Sequence, residues 1–308
     1  MIYDPKYKRW FMWATELTAH CGMHTWTTQS HTVRASCATP TGSYVREAEQ
    51  FPIWSHEVDA VRDPVSGRYV AFFSSMAHGK APPCTTCKDG STAPTCKKLE
   101  SNASAPEIEV APPTFMAYSL TDDPRGVWST PELVLMPKPM MDINAAPVIK
   151  EDGSLVGMWR DHHPSMKYST PHLFTASNWS DPATYKYSSE PLFPRVKGAI
   201  EDMFMYRDAR GYFHTLFHLM FPKADDTYGS HAYSKDGLSW TYTGQCYTGV
   251  TKYTDGSTFS YPYCERPHLV FAADGVTPVA LTNGVKVGEQ KGIEGEDQSF
   301  TLLRPLRH

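Results

Sequence analysis

Residues 200–217, IEDMFMYRDARGYFHTLF, read as an apolar strand opened by two acids, a polar turn, and a second apolar strand. The turn decides the fold. A turn aspartate followed by an apolar strand recurs as Asp4-Pro5 before RWFMW, Asp63-Pro64 before RYVAFF, Asp152-Gly153 before LVGMW, Asp208-Ala209 before YFHTLF and Asp274-Gly275 before PVALT. Successive copies lie 59, 89, 56 and 66 residues apart. The long interval contains a Cys- and Pro-rich insertion at about residues 79–112, and without it the interval shrinks to about 55.

A second mark falls between copies of the first: RAS ending at Ser36, AYS at Ser119, TAS at Ser177 and AYS at Ser234. Each is followed by a turn and an aromatic residue, in TPTGSY, LTDDPRGVW, NWSDPATY and KDGLSW, with spacings of 83, 58 and 57 that keep step with the first mark. Each unit is therefore two hairpins, four antiparallel strands, and five units account for the 308 residues. A four-stranded unit cannot bury both faces alone, so stacking around an axis into an all-β, five-bladed β-propeller is the expected solution, as one domain over residues 1–308. A β-sandwich with accidental turn spacing is the competing fold.

Composition agrees with a globular chain: 41% of residues are hydrophobic, 20% charged, and the net charge is −4. No basic surface is expected, which argues against nucleic acid or an anionic membrane as partner. No apolar run approaches a membrane span, and the start MIYDPKYKRW lacks a signal peptide's apolar core, so the chain is read as cytosolic or as lacking its true N-terminus. Seven cysteines favour the second reading. Cys84, Cys87 and Cys96, within KAPPCTTCKDGSTAPTC, are expected to staple a surface loop by disulfides, with a zinc site using His78 as the alternative. Cys21 with Cys37, and Cys246 with Cys264, are plausible further bridges. Asn102-Ala-Ser104 and Asn178-Trp-Ser180 fit the N-glycosylation sequon. Together these features lead to the expectation of a secreted, monomeric glycoprotein.

In a propeller the innermost strand of each blade lines the central channel, and the turn aspartate follows that strand. Counting back seven residues from Asp208 and Asp63 reaches Glu201-Asp202 and His56-Glu57 at the channel mouth. Alignment of ERPHLVF with EDMFMYR adds Glu265-Arg266, and DINAAPVIKEDG gives Asn144-Ala145. Charged residues at the heads of apolar strands are costly to bury unless paired or functional. They fit either an ion network closing the ring or a carboxylate site, with one acid protonated and another ionised.

The strings IEDMFMYRDARGYFHTLFH, GSHAYSKDGLSW and ERPHLVF-AADG-VTPVALTNG resemble five-bladed propeller glycoside hydrolases of the clan of arabinanases, xylosidases and invertase-like enzymes, especially glycoside hydrolase family 43. SKDGLSW is also similar to the sialidase Asp-box, one residue short. The resemblance implies an Asp base on the first blade, a pKa-tuning Asp on the third and a Glu general acid on the fourth. Glu201 matches the acid; Asn144 stands at the third position with Asp142 two residues away; the first position would precede Met1. Asp202, Glu57 or Glu265 is then the candidate partner carboxylate. A Ca²⁺ or Na⁺ ion in the channel is consistent with the clan, no cofactor is required, and no metal ligands are assigned.

The expected substrate is an oligosaccharide, polysaccharide or glycoside, with Glu201, Asp202 and Glu265 as catalytic candidates. His56, Glu57, Asp142, Asn144, His231 and Arg266 are candidate binding residues, as are Trp159, which would offer a stacking platform, and Arg160. Asp161-His162-His163 is discounted as a metal cluster because adjacent strand residues face opposite sides. A carbohydrate-binding propeller without catalysis is the alternative function. No G-x-S-x-G, P-loop, G-x-G-x-x-G or H-E-x-x-H motif occurs, which removes their enzyme classes.

Overall fold

A computed structural model describes residues 1–18, 29–52, 54–75, 113–135, 144–161, 170–193, 199–220, 229–287 and 298–306. They form a five-bladed β-propeller. Blade I contains β1 (Ile2–Asp4), β2 (Arg9–Leu17), β3 (Ser30–Cys37) and β4 (Val45–Phe51); blade II contains β5 (His56–Arg62), β6 (Tyr69–Ser74), β7 (Thr114–Tyr118) and β8 (Glu132–Leu135). Blade III contains β9 (Ala146–Ile149), β10 (Leu155–Asp161), β11 (Thr170–Ala176) and β12 (Tyr185–Tyr187). Blade IV contains β13 (Ala199–Arg207), β14 (Phe213–Met220), β15 (Gly229–Ser234) and β16 (Trp240–Tyr247). A separate two-stranded ribbon, β17 (Val250–Lys252) and β18 (Thr258–Ser260), leads into blade V, with β19 (Tyr263–Phe271), β20 (Pro278–Val287) and β21 (Gln298–Pro305). The expectation of four strands in every blade is corrected for blade V, which has three among the described residues.

All five turn aspartates earn their place by the same chemistry. Asp4 Oδ1 accepts from the Tyr7 amide at 2.8 Å, and Asp63, Asp152, Asp208 and Asp274 accept from amides two residues on. The carboxylate caps the turn amides and fixes where each inner strand ends. In the other mark, Ser234 Oγ accepts from the Gly237 amide, and Ser119 Oγ from the Tyr69 amide.

The core is divided among the seams between blades. On β6, Val70 and Phe72 enter the seam with blade III, while Tyr69, Ala71 and Phe73 pack toward blade I, as two-residue periodicity requires. Both faces of such a strand are dry. Further seams gather Met158 and Phe217 between blades III and IV, and Leu216, Leu269 and Val285 between IV and V. The ring closes where Trp10 packs on Val270 and Ala280 and its Nε1 donates to the Phe271 carbonyl at 2.8 Å.

Cys37, Cys246 and Cys264 are free thiols, which corrects the proposed Cys246–Cys264 bridge. Cys264 is buried on the inner strand of blade V, where its Sγ contacts the Thr248 carbonyl and Arg304, whereas Cys246 is exposed on the outer strand of blade IV. The pairing Cys21–Cys37 is likewise not formed at Cys37; Cys21, the insertion at 79–112 with Cys84, Cys87, Cys96 and Asn102, and His78 lie outside the described residues. Asn178 is exposed in a turn, its Oδ1 accepting from the Ser180 amide. Among the described residues no helix is long and apolar enough to cross a membrane.

Candidate active site

Three inner strands open with the same distortion. The pairing register shifts between His56 and Asp59 on β5, between Glu201 and Phe204 on β13, and between Glu265 and His268 on β19. At each bulge the second residue is left-handed: Glu57 has φ 56°, Asp202 54° and Arg266 52°. Such a conformation costs a residue with a Cβ about 1 to 2 kcal/mol, so the surroundings must impose it. These are the pairs placed at the channel mouth by counting back from Asp63 and Asp208 and, for Glu265-Arg266, by aligning ERPHLVF with EDMFMYR. Among the described residues blade III lacks the distortion, and Asn144 lies just before β9.

The bulges assemble one network. Arg266 Nη2 donates to Glu57 Oε1 at 3.0 Å, and the Arg266 amide donates to Asp202 Oδ2 at 3.2 Å. Asn144 Nδ2 donates to Asp202 Oδ1 at 2.7 Å, so both Asp202 oxygens are engaged. The Glu57 amide donates to Thr15 Oγ1 at 3.1 Å, and His56 Nδ1 lies 2.8 Å from Ser30 Oγ. From the blade III side, Arg160 forms an ion pair with Glu201. His218, opposite Glu201 on β14, brings Nδ1 to 3.9 Å from Glu201 Oε2 and 3.8 Å from Asp202 Oδ2.

Exposure divides these groups into a floor and a rim. The side chains of Asp202 and Glu57 are only 3% and 5% exposed, and His56, Arg160 and His218 are also buried. Glu201 and Arg266 reach solvent, at 15% and 31%. Glu265 is half-buried, and its carboxylate has no hydrogen-bond or ion-pair partner among the described residues. Burial pushes Glu265 up to about 7, aided by the charge of Asp202 and opposed by Arg266, Lys286 and Arg160. Burial holds His218 down at about 4 despite Asp202, and lowers His56 well below the usual imidazole value with help from Arg266. For Arg266 burial works against the charge, but Asp202, Glu57, Glu201 and Glu265 together raise its pKa.

Glu201, Asp202 and His218 place potential ligand atoms within 4.8 Å of one another. A hard ion such as Ca²⁺ takes six to eight oxygens, while here Arg160 and Arg266 already neutralise the carboxylates.

Two expectations are corrected. Trp159 is buried in the seam of blades II and III, its Nε1 donating to the Leu173 carbonyl and its ring stacked 4.7 Å from His172, so no face is open to a sugar. His231 belongs to a different chain of contacts: His214 Nδ1 lies 2.9 Å from His231 Nε2, and Thr243 Oγ1 2.7 Å from His231 Nδ1. Asp142, His162, His163 and the Asp161 side chain lie outside the described residues. The sequence reading missed His218, although hairpin register around Asp208 pairs it with Glu201. It also missed the His268–Asp59 contact at 3.5 Å, whose partners come from blades V and II.

No protein-family model and no curated protein sequence matches the chain. Solved structures do match its fold. A family 117 glycoside hydrolase of Zobellia galactanivorans superposes with a TM-score of 0.59 at 12% identity, over 99% of this chain and 81% of that one. An endo-arabinase from Bacteroides thetaiotaomicron gives 0.56 at 12% identity, over 99% and 92%. A thermostable family-43 glycoside hydrolase gives 0.63 at 8% identity, over 98% and 86%. The chain has the five-bladed fold of these glycoside hydrolases.

Proposed function

We propose that the protein is a glycoside hydrolase in which Glu265 donates the proton and Glu201 is the partner carboxylate. The observation that carries this reading is the Glu265 carboxyl, half-buried at the rim, without a partner among the described residues, and pushed up to about 7. An acid in that state keeps its proton near neutral pH and can deliver it to a leaving glycosidic oxygen. Glu201, paired with Arg160 and open to solvent, suits the anionic role, acting on water or on the anomeric carbon. Arg266, half-buried next to Glu265, can hydrogen-bond a sugar hydroxyl at the rim. Asp202 and Glu57 hold Arg266 in place from below.

The roles differ from those implied by the family resemblance, in which Glu201 would be the acid. The fold likeness to glycoside hydrolases, one of them an endo-arabinase, supports a carbohydrate as substrate. The test is hydrolysis of unactivated oligosaccharides and alkyl glycosides, whose poor leaving groups need protonation, by the wild type, Glu265→Gln and Glu201→Gln. An active wild type with an unimpaired Glu265→Gln variant refutes the assignment. Carbohydrate binding without catalysis is the second reading, favoured by the engagement of both Asp202 oxygens. Glycan binding with no release of reducing ends would select it.

A further inference from the structure

The ribbon formed by β17 and β18 belongs to no blade. All three residues of β18 are exposed, and a two-stranded ribbon is marginal on its own. Tyr261, just after β18, anchors it. This buried ring meets Phe259 edge-on at 4.8 Å and Phe300 of blade V at 6.0 Å, and its hydroxyl bonds that of Tyr253. The three outer rings remain in solvent, with Tyr253 38%, Phe259 40% and Phe300 46% exposed. Exposed apolar patches of this kind mark interaction sites.

Strand register puts this aromatic patch at the same end of the blades as the candidate active site. Glu201 pairs with His218, His218 with Gly229, and Gly229 with Tyr247, after which the chain enters the ribbon. The ribbon rejoins blade V at Tyr263, two residues before Glu265. Phe300 pairs with Val285, which pairs with Cys264, the neighbour of Glu265. The rings thus stand over the junction of blades IV and V, between the rim of the pocket and the outside of the ring.

From this placement we propose that Tyr253, Phe259 and Phe300 form an accessory subsite for an oligosaccharide or polysaccharide chain extending outward from the central pocket. The chemistry matches: open aromatic faces stack on the C–H faces of sugar rings, while Thr258 and Ser260 on the same ribbon offer hydroxyls. One cation, Lys252, and one anion, Asp255, leave the ribbon near neutrality, which fits a neutral glycan. The proposal rests on the hydrolase reading for the location of the pocket, but its binding test does not require turnover.

The test compares wild type with Phe259→Ala, Phe300→Ala and the double variant, leaving Tyr261 intact, after matching their melting temperatures. Affinity electrophoresis in gels containing arabinan, xylan, galactan or agarose reads binding directly. The expected result is retardation of the wild type in at least one gel, reduced about tenfold in apparent affinity for each lost ring, and restored by Phe259→Trp. Where hydrolysis is measurable, KM for long oligosaccharides rises by a similar factor while aryl glycoside turnover stays within about twofold. A wild type that is retarded but hydrolyses nothing, with the retardation lost in the Ala variants, upholds the subsite and removes the hydrolase reading. No retardation in any gel, equal retardation of all variants, or a change only in sedimentation coefficient, marking a protein interface, overturns the subsite.

Discussion

Arg266 of blade V and Glu57 of blade II meet across the hub at 3.0 Å, although 209 residues separate them in sequence. With Asp202 also against Arg266, the guanidinium balances charges from two other blades.

Removing that cation therefore leaves buried carboxylates uncompensated. Arg266→Ala is expected to lower stability by about 3 to 5 kcal/mol, measured by urea denaturation at pH 7. Adding Glu57→Gln to that variant should recover part of the loss. A double variant no more stable than Arg266→Ala alone would show that the Glu57 pair contributes little.

Lys8 tests the cost of left-handed backbone where no chemistry is involved. In Asp4-Pro-Lys-Tyr-Lys8 it stands at φ 52°, at the position that Gly67 holds at φ 73° in Asp63-Pro-Val-Ser-Gly67. Its side chain is exposed. Lys8→Gly is expected to stabilise the protein by about 1 kcal/mol, seen as a higher melting temperature; an unchanged or lower one would contradict the strain argument.

Glu265 sets a pH limit if it is the proton donor. With its pKa at about 7, kcat/KM should fall as pH rises through neutrality, because only the protonated form donates. Glu265→Gln should remove that limb and reduce turnover of substrates with poor leaving groups by about 10²- to 10⁴-fold. Stability follows the same sign: a carboxyl raised from 4.5 to about 7 on folding stabilises most below pH 4.5 and loses that contribution as pH rises through 7. Equal stability of wild type and Glu265→Gln across pH 5 to 8 would argue against the shift.

Histidines act in the opposite sense. Burial holds His218 and His231 near 4 and lowers His56 as well. A base depressed on folding contributes stability above its unfolded pKa of 6.5 and loses it as pH falls toward the folded value. Acid unfolding should begin between pH 6.5 and 4, and His218→Gln should flatten its onset. Fluorescence-monitored titration of both proteins checks this, and superimposable curves would exclude His218 as a contributor.

The parts of this architecture that lay open in the sequence depend on local chemistry. A turn aspartate caps its own amides, so its position reports the end of an inner strand; in blades II and IV the residues seven and six earlier fall on the bulge, and in blade V the likeness of ERPHLVF to EDMFMYR finds it. Hence Glu57, Asp202 and Arg266 could be placed before their contacts were known. What could not be read is set by packing between blades. Arg160 meets Glu201 across a seam, and whether Trp159 faces a sugar or a neighbouring blade depends on the strand stacked against it. The Cys246–Cys264 pairing failed for a similar reason: the two residues are close in sequence but belong to different blades.

The matched bulges also bear on how this hub changes over evolutionary time. His-Glu, Glu-Asp and Glu-Arg occupy one backbone shape in three blades. A common shape aims successive side chains alike, making each bulge an interchangeable socket. Transplanting a dipeptide from one blade to another would move a charge around the axis without rebuilding a strand. New combinations of acid, base and guanidinium are thus reachable by a few point changes, while the seams that keep the ring closed are left alone.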